Sequence, residues 1–342
     1  CLSPLGVSPV PLFSLFHVMA PRRNAACGEP TMNNPLENEA LPLNRQTREL
    51  SARTKGILLM SGAVAAFTVS VLLLRSTRLE GHIWMATCIR YGIGLIIVTM
   101  VYLPAGHFKP LQLIRNPDLI MRGVLGCMGV YLFYATIPHL GAGTSTFIST
   151  TYVVLAPLMA WIYLKEALTL KQVGLMVMAM AGMFIMTGVA GASKPPLIYV
   201  AIGLTGAVLA AMVVVYIRKL TREEHSSTIY AAQCFFGLMI GCGPAVLQHG
   251  APAQEMVHIT PLILSGVLAS AGQLMMTFGY KYLPVTEGSL IALCAPVSIM
   301  AGAIVLFNEP YSGFQAAGAG LILSASVLMT GAKPAVVKKQ SS

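Results

Sequence analysis

SGAVAAFTVSVLLLRSTR, residues 61–78, and TGAVLAAMVVVYIRKLTR, residues 205–222, are two copies of one pattern that start 144 positions apart. Each copy begins with a hydroxyl residue and a glycine, continues as an apolar run and ends in basic residues. Such a run is typical of a helix that crosses a membrane and stops at its surface. The pair therefore indicates a duplicated membrane protein.

A second pair of stretches extends the duplication. LGAGTSTFIS, residues 140–149, aligns with LPVTEGSLIA, residues 283–292, at an offset of 143. The same offset places Glu309 on Glu166. Because the two offsets agree within one position, we expect two complete repeats rather than an isolated duplicated helix.

Composition supports a location inside a bilayer. Of the 342 residues, 56% are hydrophobic and 10% are charged, and the mean hydropathy is +0.73. A soluble domain carries about 25% charged residues, so the lipid bilayer is the expected surrounding of this chain. The net charge is +10. The basic residues form short clusters between apolar runs instead of a stripe with aromatic residues, which argues against nucleic-acid binding.

Apolar runs of about 20 residues predict ten membrane-spanning helices joined by short connections. The predicted spans are 56–74, 83–103, 119–138, 144–163, 170–190, 197–217, 228–247, 261–280, 285–307 and 312–331.

The number of spans in each repeat determines how the repeats are oriented. Each repeat has five spans, and because five is odd the second repeat enters the membrane upside down. The predicted fold is an all-α membrane protein with ten transmembrane helices as two inverted five-helix repeats. Such repeats are typical of secondary transporters, whose substrate site lies near the midplane between the halves.

The distribution of Lys and Arg predicts the topology. With the N-terminus inside, sixteen basic residues fall at inner connections, and three, Arg75, Arg78 and Lys194, fall at outer ones. Inner loops of membrane proteins carry the excess of positive charge. We therefore expect a multi-pass protein of the cytoplasmic (inner) membrane with both termini in the cytoplasm.

The repeats also predict the domain boundaries. The first repeat covers 55–190, the second covers 197–332, and a cytoplasmic tail covers 333–342. Residues 1–54 are rich in Pro, Asn and Glu, and we expect a disordered cytoplasmic segment. Because the chain begins with Cys rather than Met, we expect residues 1–31 to be non-native upstream sequence.

Three stretches of the chain resemble the drug/metabolite transporter superfamily, specifically its EamA-like ten-helix transporters. These stretches are ATCIRYGIGLII (86–97), TSTFISTTYVVLAPLMAWIYLKEALTLKQVGLMVMAMAG (144–182) and EGSLIALCAPVSIMAGAIVLFNEPYSGFQAAGAGLIL (287–323). The resemblance covers about residues 55–331. It implies transport and does not identify the substrate. Together with the inverted repeats, it leads to the hypothesis of a secondary transporter that moves a small organic metabolite or drug, for example an amino acid-like compound, by alternating access.

Two other functional classes remain as alternatives. One is a non-transporting membrane protein with a structural or partner-binding role, and the other is a passive channel. An enzyme is disfavoured, because no His, Asp, Glu or Cys cluster at catalytic spacing occurs in the spans. The seven cysteines show no metal-ligand spacing, so neither a metal site nor a cofactor is expected.

Paired acidic residues precede the fifth and tenth spans. Glu166 and Glu309 are each followed by a capping-box pattern that starts at Thr169 or Ser312. A carboxylate beside a helix N-terminus is stabilised by the helix dipole, which favours a structural capping role. A proton carrier or a gate is the alternative role for the two glutamates.

Two charged residues inside spans are candidate substrate-binding groups. Glu287 lies in the first turn of the ninth span, where it either complements the helix dipole or forms a cation or proton site. Arg90 lies about seven residues inside the second span, and its repeat counterpart is Gln233. Arg90 is expected either to bond helix carbonyls or to bind an anionic solute.

The resemblance places the transport pathway mainly on the third, fourth, eighth and ninth spans, together with the first and sixth. It therefore suggests four further substrate-binding residues, which are Tyr131, Tyr134, Gln273 and Ser289. A local hydrogen bond to the helix's own carbonyls is the alternative for the serine.

Two prolines interrupt spans of the predicted pathway. Pro157 and Pro296 lie inside the fourth and ninth spans, where each removes a backbone hydrogen bond and either kinks the helix or forms a hinge. Small residues at close spacing favour tight helix packing. That packing is compatible with a monomer or with a homodimer.

Overall fold

Helices form all regular secondary structure in residues 37–76, 83–188, 196–247, 259–308 and 312–331, the part of the chain that the computed structural model describes. They are α1 (Glu37–Ser76), α2 (Ile83–Tyr102), α3 (Gln112–Arg115), α4 (Pro117–Thr150), α5 (Tyr152–Leu164), α6 (Leu170–Met186), α7 (Leu197–Leu220), α8 (Ser226–Leu247), α9 (Ile259–Tyr282), α10 (Val285–Ala292), α11 (Cys294–Phe307) and α12 (Gly313–Gly331). Within these residues, nine segments are long and apolar enough to cross a membrane, and the 17-residue α6 is a shorter apolar helix. Together they account for the ten predicted spans.

The first helix begins earlier than the sequence analysis predicts. Disorder was expected up to residue 54, whereas α1 is helical from Glu37 onward. The segment contains many strong helix formers, including Glu, Leu, Arg and Gln, which explains the difference. The chain divides into two units, Cys1–Arg48 and Glu49–Ser342, and the membrane helices belong to the second. Residues 1–36, which include the stretch expected to be non-native, lie outside the described residues, as does the tail after Gly331.

Several spans are bent or broken. α4 contains the third span and the start of the fourth, and it turns at Gly141, whose φ of 76° suits glycine because it has no Cβ. The fourth span continues as α5 after a break at Thr151, and the ninth consists of α10 and α11, with a break at Leu293. The two breaks lie within one position of each other in the repeat alignment.

The two halves share backbone details as well as sequence. Among described residues other than glycine, positive φ occurs only at Lys165 (54°) and Asn308 (51°), which are 143 positions apart and end α5 and α11. Thr169 and Ser312 then form equivalent capping boxes. The hydroxyl of Thr169 accepts the backbone N–H of Gln172, and the hydroxyl of Ser312 accepts that of Gln315, both at 3.3 Å. In return, Oε1 of each glutamine accepts the backbone N–H of the cap residue at 2.9 Å. The halves are therefore duplicates in conformation.

Contacts between the halves follow a two-fold arrangement. α2 packs on its counterpart α8, and α6 packs on its counterpart α12. The contact between α4 and α8 is matched by the contact between α9 and α2. With five spans in each half, the halves have opposite orientations, so the fold is an all-α bundle of two inverted repeats.

The contact between α6 and α12 depends on two glycines. A Cβ added to Gly182 would lie 2.6 Å from the carbonyl oxygen of Gly318, and a Cβ on Gly318 would lie 2.5 Å from that of Gly182. The two backbones therefore touch, as in other small-residue helix contacts in membranes. Buried methionines and aliphatic residues of both helices form the main apolar core beside this contact.

Candidate functional site

Glu166 joins the two repeats at one end of the bundle. We call this end, which carries Arg53, Arg218 and Lys281, the basic face. Oε1 of Glu166 accepts a hydrogen bond from Nε of Arg218 at 2.9 Å, and its Oε2 accepts the backbone N–H of Val285 at 2.9 Å. Glu166 thus caps α10 of the second repeat, whereas α6, which follows it in the chain, is capped by Thr169.

Arg218 extends this connection to a third helix. Its Nη1 donates to the carbonyl oxygens of Tyr280 at 2.7 Å and Lys281 at 3.0 Å, at the C-terminal end of α9. A cation at a helix C-terminus is favourable because free carbonyl groups and the negative end of the helix dipole meet there. One Glu–Arg pair therefore links the α5–α6 connection, α7, α9 and α10.

Glu287 lies in a second ion pair at the same face. Nε of Arg53 donates to Oε2 of Glu287 at 3.0 Å, and Nη2 of Arg53 donates to the carbonyl oxygen of Met329 at 3.3 Å. Glu287 is only 4% exposed. Because Arg53 balances its charge in this state, the carboxylate predicted as a cation or proton site already has a protein partner.

These four residues, Arg53, Glu287, Arg218 and Glu166, form what we call the basic-face network. It connects α1, α7, α9, α10, α12 and the α5–α6 link, which come from both repeats. Buried ion pairs hold their elements in place because separation would leave an unpaired charge out of water. The network therefore joins elements of the two halves at the basic face.

Tyr131 is buried against α8. Its hydroxyl donates to the carbonyl oxygen of Gly237 at 3.1 Å, and its ring stacks on Trp84 with a centroid distance of 4.3 Å. The ring is wedged against small residues, because a Cβ on Gly241 would overlap its hydroxyl. In this state Tyr131 packs α4 against α8.

The other predicted substrate residues lie buried or half-buried in the bundle. Ser289 is fully buried, and its hydroxyl lies near that of Tyr280 without a hydrogen bond of good geometry. Gln273 on α9 is 6% exposed, and Tyr134 is half-buried beside the ring of Phe133, 5.4 Å away. Ser145 on α4 is 1% exposed and its Oγ has no hydrogen-bond partner. Unpartnered hydroxyls on α4 and α10 are suited to contact a polar solute, since buried polar groups normally have partners.

Arg90 has few partners in the interior of the bundle. Its guanidinium carbon lies 5.8 Å from the ring centroid of Phe67, and its Nε is buried without a hydrogen-bond partner. This position fits a cation–π contact rather than a bond to helix carbonyls.

Arg122 is a candidate that the sequence analysis missed. It was counted as a surface charge of an inner connection, but it is 0% exposed between α4 and α8. Its Nη2 donates to Oε1 of Gln233 at 2.9 Å, while its Nε and Nη1 are buried without partners. Gly126 could have indicated from the sequence that Arg122 is buried. It lies one helical turn after Arg122, and its missing side chain leaves room for the guanidinium. A Cβ there would lie 2.4 Å from Nη1.

The structure places the two prolines differently. Pro157 is buried inside α5. Pro296 lies near the start of α11, three residues after the interruption at Leu293 and within the predicted ninth span. Its missing N–H would have bonded the carbonyl of Ala292, and α10 ends at Ala292 for this reason.

Two other predictions concern residues beyond these positions. Glu309 lies outside the described residues. Among the residues that are described, no group of three or more His, Cys, Asp or Glu could hold a metal ion.

Comparisons with known proteins agree with this architecture. The model of the EamA-like transporter family matches residues 54–188 and 197–331. The chain is 24% identical over 273 residues to solute carrier family 35 member G1 of Mus musculus, covering 72% of this chain and 69% of that protein. Its fold is similar to that of a protein solved by crystallography, with a TM-score of 0.69, 17% identity, and coverage of 80% of this chain and 96% of the other. The chain is therefore a transporter, not an enzyme, and belongs to the EamA-like transporter family, with one EamA domain in each half.

Proposed function

We propose that the protein is a secondary transporter that moves a small organic solute across the cytoplasmic membrane by alternating access. The observation that carries this proposal is the ion-pair network that joins two inverted repeats at the basic face. Two halves of the same conformation and opposite orientation can exchange roles, so that one face opens as the other closes. Paired charges at the closed face are suited to release and reform during this exchange.

The basic face is proposed to be the cytoplasmic face, with both termini on that side. The excess of Lys and Arg at its connections supports this orientation. In the state described here, solute would then reach the interior from the outer side. Release to the cytoplasm would require both Arg53–Glu287 and Arg218–Glu166 to separate.

The solute pathway is proposed to pass polar groups of α4, α9 and α10. Gln273, Ser289 and Tyr134 are the proposed contacts, and Arg90 contributes positive charge to the interior. The interruptions at Thr151 and Leu293, which lie six and three residues before Pro157 and Pro296, are the proposed hinges. A monomer contains all of these groups, and a homodimer is not required.

Reconstitution tests the proposal. The purified protein is placed in liposomes loaded with unlabelled solute, and uptake of labelled organic acids, amines, amino acids and sugars is measured as counterflow. We expect saturable uptake for at least one class, with a reduced rate in Gln273→Leu and an unchanged rate in Ser324→Ala, which alters an exposed position. Absence of saturable counterflow for every class would overturn the proposal.

Labelling tests the orientation separately. Single cysteines at Lys171 and at Pro196, in a cysteine-free background, are exposed to a membrane-impermeant maleimide. We expect labelling of position 196 in intact cells and of position 171 only after cell disruption. The opposite pattern would show that the basic face is outside.

A further inference from the structure

Two arginines inside the bundle pair with no carboxylate of the described residues. In the described residues, Asp118, Glu166 and Glu287 pair with Lys219, Arg218 and Arg53, and no ion pair reaches Arg90 or Arg122. We call Arg90 and Arg122 the interior arginine pair. A buried charge without a counter-charge is strongly unfavourable, and intramembrane ionisable residues are usually functional.

Arg122 has unused hydrogen-bonding capacity. A guanidinium has five N–H donors, and in the structure only Nη2 donates, to Oε1 of Gln233 at 2.9 Å. Both Nε and Nη1 are sealed from solvent and lack acceptors. The Nε–H and Nη1–H groups lie on different sides of the planar guanidinium, and each can donate a charge-assisted hydrogen bond to an oxygen of a carboxylate or phosphate group.

The helices that carry the two arginines pack on the same part of α8. A Cβ added to Gly94, one helical turn after Arg90, would lie 2.8 Å from Sγ of Cys234, and Arg122 bonds Gln233, the residue before Cys234. The hydroxyl of Tyr230, one helical turn before Cys234, would lie 2.4 Å from the same added Cβ, and it donates to Oγ of Ser270 at 2.9 Å. The region between α2, α4 and α8 therefore has positive charge and polar groups, but no protein anion among the described residues.

The position within the membrane favours a solute site. Arg122 is five residues from the start of α4, about 8 Å along the helix, and Arg90 is twelve residues from the end of α2, about 18 Å from the same face. Arg122 thus lies in the half of the membrane next to the basic face, and Arg90 lies near the midplane, slightly beyond it. Arg90 is only partly buried, so a solute would reach it before Arg122, which is fully buried.

We propose that the interior arginine pair binds a small oxyanion, a carboxylate or a phosphate, with Arg122 as the direct donor and Arg90 as the second positive charge. The oxyanion is either a group of the transported solute or a free inorganic ion held in place. The first case rests on the transport function proposed above and defines the solute as an organic anion. Binding itself does not depend on transport.

Binding is tested on the purified full-length protein in detergent. Succinate, acetate and inorganic phosphate are titrated at constant ionic strength in a chloride buffer, and the melting temperature is followed. We expect at least one oxyanion to raise the melting temperature in a saturable manner. Arg122→Gln should weaken the apparent affinity about tenfold or more, because a charge-assisted hydrogen bond is lost.

Two further variants keep the test decisive if Arg122→Gln does not fold. Arg122→Lys retains the charge but not the planar donor set, and Arg90→Gln copies the residue of the other repeat, so both should weaken binding. Arg115→Gln, which alters an exposed arginine at the basic face, should bind as the unmodified protein does. The proposal is overturned if no oxyanion stabilises the protein, or if stabilisation is unchanged in Arg122→Gln, Arg122→Lys and Arg90→Gln.

Liposome counterflow with the same three anions separates the two sources of the oxyanion. Saturable flux that is lost in Arg122→Lys identifies the oxyanion as part of the solute. Arginine-dependent binding without flux identifies a resident ion, and the site stands even if the transport proposal fails. Saturable flux of a neutral or cationic solute, with no oxyanion binding, would remove the anion site and leave the transport proposal intact.

Discussion

Arginine side chains have different partners in the basic-face network and in the interior arginine pair. In the network, Nε of Arg53 lies 3.0 Å from a carboxylate oxygen of Glu287, and Nε of Arg218 lies 2.9 Å from one of Glu166. In the interior, Arg122 binds only a neutral amide, and Arg90 lies beside an aromatic ring. The difference separates charges that hold helices together from charges that remain free for a ligand.

One pair of the network, Arg53–Glu287, breaks the repeat pattern. Glu287 has Thr144 as its repeat counterpart, so the Arg53–Glu287 pair has no carboxylate equivalent at the opposite end. A feature that breaks the two-fold arrangement favours one state of the transporter over the other. Ion pairs of the two repeats thus bias an otherwise symmetric exchange.

The largest expected effect is at Glu166. Glu166→Ala removes the partner of Arg218 and the cap of α10 together, so we expect the free energy of unfolding to fall by about 2–4 kcal/mol. Thermal and denaturant unfolding in detergent measures it. Glu223→Gln, at an exposed glutamate, is the matched control, and an equal effect in both variants would show that Glu166 does not hold the repeats together.

A change of opposite sign is expected in the interior. Replacing both partners by apolar residues, Arg122→Met with Gln233→Leu, should raise the free energy of unfolding by about 1–2 kcal/mol in the absence of anions, because a buried unpaired charge is removed. The same unfolding assay checks this. Strong destabilisation would mean that Arg122 is a structural residue like Arg218.

A smaller effect is expected for the pair Arg53–Glu287. In a double-mutant cycle with Arg53→Gln and Glu287→Gln, we expect a coupling energy of about 1 kcal/mol, since the pair is partly shielded from water. A coupling energy near zero would remove this pair from the network and leave Glu287 available as a solute site.

The smallest effect concerns pH at the basic face. The His225 ring packs among Tyr102, His107 and Phe278, and burial, followed by His107 and Lys281, lowers its pKa to about 4. An unfolded chain has a histidine pKa of about 6.5, so between these values the unfolded state binds the proton and the folded state does not. Stability should therefore decrease as the pH falls from about 6.5 towards 4.

His225→Asn isolates the contribution of the histidine to the pH dependence of stability. Nδ1 of His225 accepts the backbone N–H of Ser227 at 3.3 Å, and the side-chain oxygen of Asn can accept the same N–H. We expect the melting temperature of the variant to depend less on pH over that interval. His139→Asn, at an exposed histidine, should retain the original dependence. An unchanged profile in His225→Asn would show that another group titrates.

Some site features could be read from the sequence because they depend on neighbours in the chain. The capping boxes at Thr169 and Ser312 join residues three positions apart, and the structure contains both. The role of Glu166 needed the fold, since its partners Arg218 and Val285 are 52 and 119 positions away. The burial of Arg122 also needed the fold, since its partner Gln233 is 111 positions away. In the sequence, Arg122 stands close to the end of a span, where a charged residue normally lies at the membrane surface.

The sequence by itself determined the ten apolar spans, the duplication and the family, because hydropathy and repeat offset are properties of the chain read along its length. The inverted arrangement followed from the odd number of spans in each repeat. Only the tertiary structure decided which charges are paired, since helix packing brings residues of distant spans within 3 Å of one another. For that reason Glu287 has a protein partner, and Arg122, which resembles a surface charge in the sequence, lies buried with two nitrogens that lack an acceptor.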